Sequence, residues 1–285
     1  MLTKIGVVGC GLMGSGITEV CARAGLEVTV CEADEAALSA GRRRIERSFE
    51  RAVDRSKLSN ADRDQALELL TFTTSLDTLA DRELVMEAVV EEEEAKTEIF
   101  TALDKIIEDP AAILASNTSS IPIMKLAMAT GRPEQVVGIH FFNPVPVLRL
   151  VELVPSLLTS QKTQQVARDF ADGQLGKLVV ASKDRAGFVV NALLIPYLLS
   201  AVRMFESGFA TAEDIDVGMV EGCAHPMGPL ALSDLIGLDT VQAVAESMYE
   251  EFKEPLYAPP PLLSRMVEAG LLGRKSGQGF FAYER

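Results

Sequence analysis

The run KIGVVGCGLMGSGI, Lys4 to Ile17, constrains this chain more than any other stretch. A short β-rich segment leads straight into Gly9, Gly11 and Gly14, a helical pattern follows to Ala24, and LEVTVCE then reads as a second strand. A G-x-G-x-x-G spacing means little alone. Between a strand and a helix it allows a tight turn and lets main-chain amides approach a pyrophosphate at the helix N-terminus. Glu32 closes the second strand about 20 residues later, where a carboxylate accepts hydrogen bonds from a ribose 2′-hydroxyl. It would repel a 2′-phosphate, and no Arg or Lys follows it before Arg42. NAD is therefore expected over NADP.

Further strands are expected at LTFTT, ELVMEAVV, AAILAS, QVVGIHFF, LRLVELV and GKLVVAS, with helical patterns between most of them. That alternation predicts an α/β, Rossmann-like, mostly parallel sheet covered on both faces. From Phe188 onward the periodicity is only helical, so the boundary falls between Asp184 and Gly187. The reading is two domains: an NAD-binding domain over 1–185, and an all-helical C-terminal domain over 186–285 for the substrate cleft and dimerisation. A net charge of −14 argues against nucleic-acid or anionic-membrane partners. The most apolar segment, Ala186 to Met204, is broken by Asn191 and Pro196 and reads as a buried helix rather than a membrane span. Cys10, Cys21, Cys31 and Cys223 show no CxxC spacing, and no signal peptide is expected, so the reading is a cytoplasmic protein with reduced thiols and no metal.

The chain has only two histidines. His140 ends a predicted strand and Glu152 lies within the next, so a hairpin-like return would bring them within hydrogen-bond reach and make the imidazole an oriented general base. A satisfied core histidine would leave the same trace in the sequence. SNTSS, Ser116 to Ser120, follows another strand end and offers hydroxyls, although such a cluster also makes an ordinary loop or helix cap. Asn191 is an amide in an apolar helix and needs a hydrogen-bonding partner from protein or ligand. Arg44, Arg47, Arg51 and Arg55 recur on one face of a helical pattern, with Glu46, Glu50 and Asp54 along another. A salt-bridged solvent helix and a handle for an anionic substrate fit that spacing equally. The run Glu91 to Glu94 reads as a solvated helix start, and His225 carries no assigned role.

Taken together, GVVGCGLMGSGI, SNTSS, HFFNPVP, LVEL, GFVVN, HPMGPLALSDLIGLD and GRKSGQGF resemble the short-chain L-3-hydroxyacyl-CoA dehydrogenase family, which includes bacterial 3-hydroxybutyryl-CoA dehydrogenases. The resemblance runs in order over nearly the whole chain. It implies His140 as the catalytic histidine, Glu152 as its paired acid, and Ser119 and Asn191 as contacts to the substrate oxygen, with Ser120 the weaker candidate serine. It carries the cofactor contacts onto the glycine loop (Gly9, Gly11, Leu12, Met13, Gly14), Glu32, Glu91, Lys96, Ser119, Asn143 and Lys275, and coenzyme A contacts onto Ser48 and Arg55. Two positions depart from the family pattern: Glu32 stands where Asp is common, and Arg55 where a lysine is common.

The expected function is reversible, NAD-dependent oxidation of a short-chain L-3-hydroxyacyl-CoA, such as 3-hydroxybutyryl-CoA, by a homodimer. Rival readings are a dehydrogenase of a carrier-protein-linked hydroxyacyl group or of a sugar acid on the same scaffold, and a non-catalytic NAD-binding sensor or structural protein. The arginine stripe tells against the sugar acid, which has no nucleotide handle. Binding NAD alone requires none of His140, Glu152, Ser119 and Asn191, which tells against the last rival.

Overall fold

β1 (Lys4–Val8) runs into the glycine turn, α1 (Leu12–Arg23) follows, and β2 (Glu27–Cys31) returns parallel to β1. This opening sets the first of two units, Met1–Arg185, in a computed structural model that describes residues 1–284. Asp34 then starts α2 (Glu35–Asp54) by accepting a hydrogen bond from the Ala37 N–H at 2.8 Å, and Ser59 caps α3 (Asn60–Glu68) in the same way. The remaining strands are β3 (Leu70–Thr73), β4 (Leu84–Glu87), β5 (Ile113–Ser116), β6 (Val136–Phe141), β7 (Leu150–Pro155) and β8 (Leu178–Ala181). The helices α4 (Glu93–Ile106), α5 (Ile123–Met128) and α6 (Gln161–Arg168) lie between them.

The sheet order is β3-β2-β1-β4-β5-β6-β7-β8, and every neighbouring pair is parallel except β6 with β7. Strand order reverses between β1 and β4, the switch point outside which α/β sheets bind ligands. Every residue of β4, β5 and β6 is buried, as a sheet covered on both faces requires. The apolar β4 run nevertheless ends on a carboxylate, Glu87, with no exposed surface.

The second unit begins at Ala186 and consists of α7 (Val190–Glu206), α8 (Ala212–Cys223), α9 (Pro229–Ile236), α10 (Leu238–Phe252) and α11 (Pro261–Glu268). Leu198, Val202, Leu230, Val241, Met248 and Leu263 are among its fully buried apolar residues. Helical periodicity does not account for its end, where Gly273 and Ala282 each form an isolated antiparallel bridge with Gln278. Those turns are fixed by polar contacts to a buried aspartate, which hydrophobic patterning cannot register. Among the described residues, no helix is long and apolar enough to cross a membrane and no side-chain cluster could hold a metal ion.

Candidate active site

The antiparallel β6–β7 pairing puts His140 directly opposite Glu152. Residues opposite one another on such a pair project from the same face, and His140 Nδ1 lies 2.8 Å from Glu152 Oε2. Both are buried, at 6% and 0% exposure, so the carboxylate acts on the imidazole with little solvent screening. Phe142 covers the imidazole at a ring-centroid distance of 4.6 Å. The hairpin-like return read from the sequence thus takes the form of a strand register, and the pair can orient a ring and stabilise its positive charge.

The SNTSS loop leaves the C-terminal end of β5 beside this pair. The Phe141 N–H, next in the chain to His140, donates to Asn117 Oδ1 at 2.9 Å. Sequence reasoning did not single out Asn117, although it stands inside the quoted cluster. Ser119 is half-exposed, and its N–H donates to Glu91 Oε1 at 2.8 Å. Glu91 Oε1 also accepts from Thr118 Oγ1 at 2.5 Å and from the Ser120 N–H at 3.1 Å. The run Glu91 to Glu94 is exposed, with Glu92 as N-cap and Glu93 and Glu94 in the first turn of α4, as a solvated helix start requires, but Glu91 also anchors the loop. Burial works against the Glu91 charge, yet the Lys96 ammonium and the Thr118, Ser119 and Ser120 donors overcome it and hold the carboxyl below its usual range. Lys96 is 1% exposed and donates to Glu87 Oε1 at 2.6 Å.

The glycine loop has the shape that a dinucleotide phosphate requires. Gly9 sits at φ +89°, and a Cβ on Gly14 would lie 1.8 Å from the Gly9 carbonyl oxygen, so larger residues would break the turn. A Cβ on Gly11 would meet nothing within 4 Å, and Gly11 starts α1 with no side-chain cap and no acidic residue in the first turn. The α1 N-terminus is therefore open to an anion. Leu12 is 61% exposed and Met13 is half-buried. Glu32 directly follows β2, and its Oε1 accepts from the Cys10 N–H, which ties the second strand to the loop. These residues fit NAD. Asn143 is exposed in the β6–β7 connection.

On α2, Arg43, Arg44, Arg47 and Arg51 line a depression with Ala40. Arg42–Glu46 is an ion pair of α2 itself, at 2.9 Å, and none of those four arginines has a carboxylate partner among the described residues. The salt-bridged reading of the stripe is therefore corrected. Its membership also changes: Arg43 joins it, while Arg55 lies one residue past the helix and outside the depression, because α2 ends at Asp54. Ser48 is half-buried within α2. A Cβ on Gly41 would lie 2.6 Å from the Cys10 side chain, so α2 closely approaches the glycine loop, and Arg44 Nη1 donates to the Cys10 carbonyl at 2.7 Å.

In the second unit, Asn191 is the second residue of α7 and is half-buried, not enclosed. The demand for a protein partner is relaxed at that position, since water can serve it. Lys275 Nζ donates to Asp239 Oδ2 at 2.6 Å. His225 lies between α8 and α9, with Nδ1 3.1 Å from the Tyr197 hydroxyl. Two buried aspartates hold the unit together. Asp216 accepts from the Leu230 and Ala231 N–H groups at 2.8 Å each, at the start of α9. Asp234 accepts from the Phe280 and Phe281 N–H groups and the Tyr283 hydroxyl at 3.0, 2.9 and 2.9 Å.

Residues 4–185 match the family described as 3-hydroxyacyl-CoA dehydrogenase, NAD binding domain, and residues 187–283 match the 3-hydroxyacyl-CoA dehydrogenase C-terminal domain. The 3-hydroxybutyryl-CoA dehydrogenase of Mycobacterium tuberculosis is 62% identical over 282 residues, covering 99% of each chain. Among solved structures, M. tuberculosis FadB2 superposes with a TM-score of 0.98 at 62% identity, covering 99% of each chain. The (S)-3-hydroxybutyryl-CoA dehydrogenase PaaH1 of Ralstonia eutropha does so at 0.95 and 43% identity, covering 100% of each. With both of its units matched in order, and with the dinucleotide cradle and the His140–Glu152 pair in one sheet, the chain belongs to the 3-hydroxyacyl-CoA dehydrogenase family.

Proposed function

We propose that this enzyme catalyses the reversible, NAD-dependent oxidation of a short-chain L-3-hydroxyacyl-CoA, with 3-hydroxybutyryl-CoA as substrate and acetoacetyl-CoA as product. The observation that carries the reading is the buried His140–Glu152 pair at 2.8 Å. NAD held at the glycine loop would supply the hydride acceptor for C3, and its reduced form the hydride donor for the reverse direction. His140 accepts the C3 hydroxyl proton on the ring nitrogen remote from Glu152, and Glu152 stabilises the imidazolium that results. In reduction His140 returns that proton to the C3 oxygen. Ser119 and Asn191 hold the same oxygen, which keeps the alcohol in a reactive orientation.

The first unit binds NAD through the glycine loop (Gly9 to Gly14), Glu32, Glu91 and Asn143, and the family resemblance assigns Lys275 to the cofactor as well. The arginines of α2, with Ser48 and Arg55, receive the phosphates of coenzyme A, since an acidic chain needs a local cationic surface for an anionic handle. The second unit joins two copies into a homodimer. Cytoplasmic residence accords with four free thiols.

Steady-state reduction of 3-ketoacyl-CoA thioesters of increasing chain length, each run with NADH and with NADPH, tests the reading. The expected result is highest kcat/KM for acetoacetyl-CoA with NADH, because the Glu32 carboxylate repels a 2′-phosphate. Absence of turnover with acetoacetyl-CoA and NADH would overturn it, and comparable kcat/KM with the two cofactors would remove the assigned role of Glu32.

A further inference from the structure

Lys96 carries a cofactor contact in the family resemblance, but its surroundings leave little room for one. Its residue is 1% exposed, and its ammonium lies 2.6 Å from Glu87 Oε1 and 3.2 Å from Glu91 Oε2. Glu87 is more deeply placed still, with no exposed surface at the end of β4. Its Oε1 accepts from Lys96 and from the Val89 N–H at 2.7 Å, and its Oε2 accepts from Ser116 Oγ at 2.6 Å. The same hydroxyl oxygen of Ser116 accepts from the Thr118 N–H at 3.1 Å. Two carboxylates therefore share one ammonium, and each also holds the SNTSS segment at a different point: Glu87 at Ser116, and Glu91 at Thr118, Ser119 and Ser120.

A buried charge group of this kind is weak evidence for stability, because desolvation offsets much of its Coulombic attraction. Its geometric effect is more specific. Lys96, itself held by Glu87, holds Glu91 from one side, and the Ser119 N–H donates to the same carboxylate. On its other side the segment is tied to β6 by Asn117, one residue from His140. We infer that Glu87 and Lys96 are positioning residues, acting on the reaction through Glu91 to set Ser119 relative to His140. This rests on the proposed dehydrogenase reading, which assigns Ser119 to the C3 oxygen.

The test is a double-mutant cycle on Glu87→Gln and Lys96→Met, assayed with acetoacetyl-CoA and NADH. Glu87→Gln is expected to lower kcat about tenfold while the KM for acetoacetyl-CoA stays within about threefold and the KM for NADH rises by less than kcat falls, because the geometry at the reacting atoms is lost more than ground-state binding. Lys96→Met leaves two carboxylates facing each other without a counter-charge and is expected to be worse. Adding Glu87→Gln to Lys96→Met removes that repulsion, so the double variant should recover about tenfold in kcat over Lys96→Met. A lysine that touches the cofactor itself predicts the reverse, since a second lesion only adds loss. A double variant no better than Lys96→Met, or a Glu87→Gln enzyme with unchanged kcat, overturns the inference. Hydrogen exchange at the Ser119 and Ser120 amides gives a readout that needs no activity. The mild Ser116→Ala and Glu87→Gln variants should both speed it, and unchanged exchange in both also overturns the inference. A wild-type enzyme inert toward acetoacetyl-CoA would instead count against the dehydrogenase reading, and the exchange measurement would still judge the Glu87–Lys96 pair.

Discussion

At the scale of single residues, His140 and Glu152 were legible as a pair, but the register that sets them opposite one another was not. A strand end and the next strand state that two side chains approach, while the register that sets them opposite one another depends on the length of the β6–β7 connection. General acid–base assistance contributes about 10²–10⁴ in rate, so His140→Gln should lower kcat by at least that order while NADH affinity, read by fluorescence titration, barely moves. Glu152→Gln should lower kcat as well, because an amide can hold the ring but cannot stabilise its charge. The double variant should lose far less than the product of the two single losses, since the residues act as a unit. Near-normal turnover in His140→Gln with reduced thermal stability would make the histidine a core residue. The cysteines make a second prediction at this scale. Burial and the neighbouring Glu32 push the Cys10 thiol up to about 12, with Arg44 opposing them. Burial pushes Cys21 to about 12 and, with Glu32, Cys31 to about 11, whereas Cys223 is exposed. Since the thiolate is the nucleophile, maleimide at neutral pH should modify one thiol per native chain, at Cys223, and four after denaturation. Fast labelling of a Cys223→Ser variant would show that the glycine loop opens.

At the scale of elements, the inner strands were readable because a buried sheet writes itself as apolar runs bounded by polar turns, and the partly exposed edge strands β3 and β8 through their β-branched and apolar residues. The arginine helix was readable only in part: spacing placed Arg44, Arg47 and Arg51 on one face, but neither the end of α2 at Asp54 nor the lack of carboxylate partners among the described residues follows from period. Arg47→Ala and Arg51→Ala are expected to raise KM for acetoacetyl-CoA by about tenfold, as loss of a charge-assisted phosphate contact does. A thioester truncated to N-acetylcysteamine, which lacks the phosphates, should be affected much less, and equal losses on both substrates would sink the handle. The segments HPMGPLALSDLIGLD and GRKSGQGF stand apart in sequence, and nothing in either announces their connection. Asp234, 1% exposed, makes it by accepting from Phe280, Phe281 and Tyr283. Asp234→Asn turns one acceptor into a donor facing N–H groups, so it should cost about 1–3 kcal/mol, measured as a lower urea midpoint at unchanged slope. An unchanged midpoint would mean that the turn is held by its other contacts.

At the scale of the whole molecule, two features of the sequence stand in tension: a net charge of −14, which keeps copies apart, and a second unit with large apolar side chains in water. The exposures are specific. Leu193 is 75% exposed and Met204 42%, eleven positions apart on α7 and hence on nearly the same face of a helix with 3.6 residues per turn. Phe209 is 79% exposed just beyond that helix, with Val217 at 58% on α8 and Leu235 at 49% on α9. The unit nevertheless has its own buried core, so these residues are surplus to its folding. Scattered apolar side chains need no explanation, but several on consecutive helices of one unit are what an interface leaves when its partner is removed. A closed pairing of identical surfaces satisfies them without opening a path to filaments. The enzyme is therefore expected to sediment as a dimer at micromolar concentration. A Leu193→Glu/Phe209→Glu variant should shift toward the monomer mass with helix content intact by circular dichroism, because charges buried at a symmetric interface face their own copies. The shift should weaken as salt is raised, since screening relieves like-charge repulsion. A wild-type chain that sediments as a monomer, or a double variant that stays dimeric, would place the contact elsewhere or remove it.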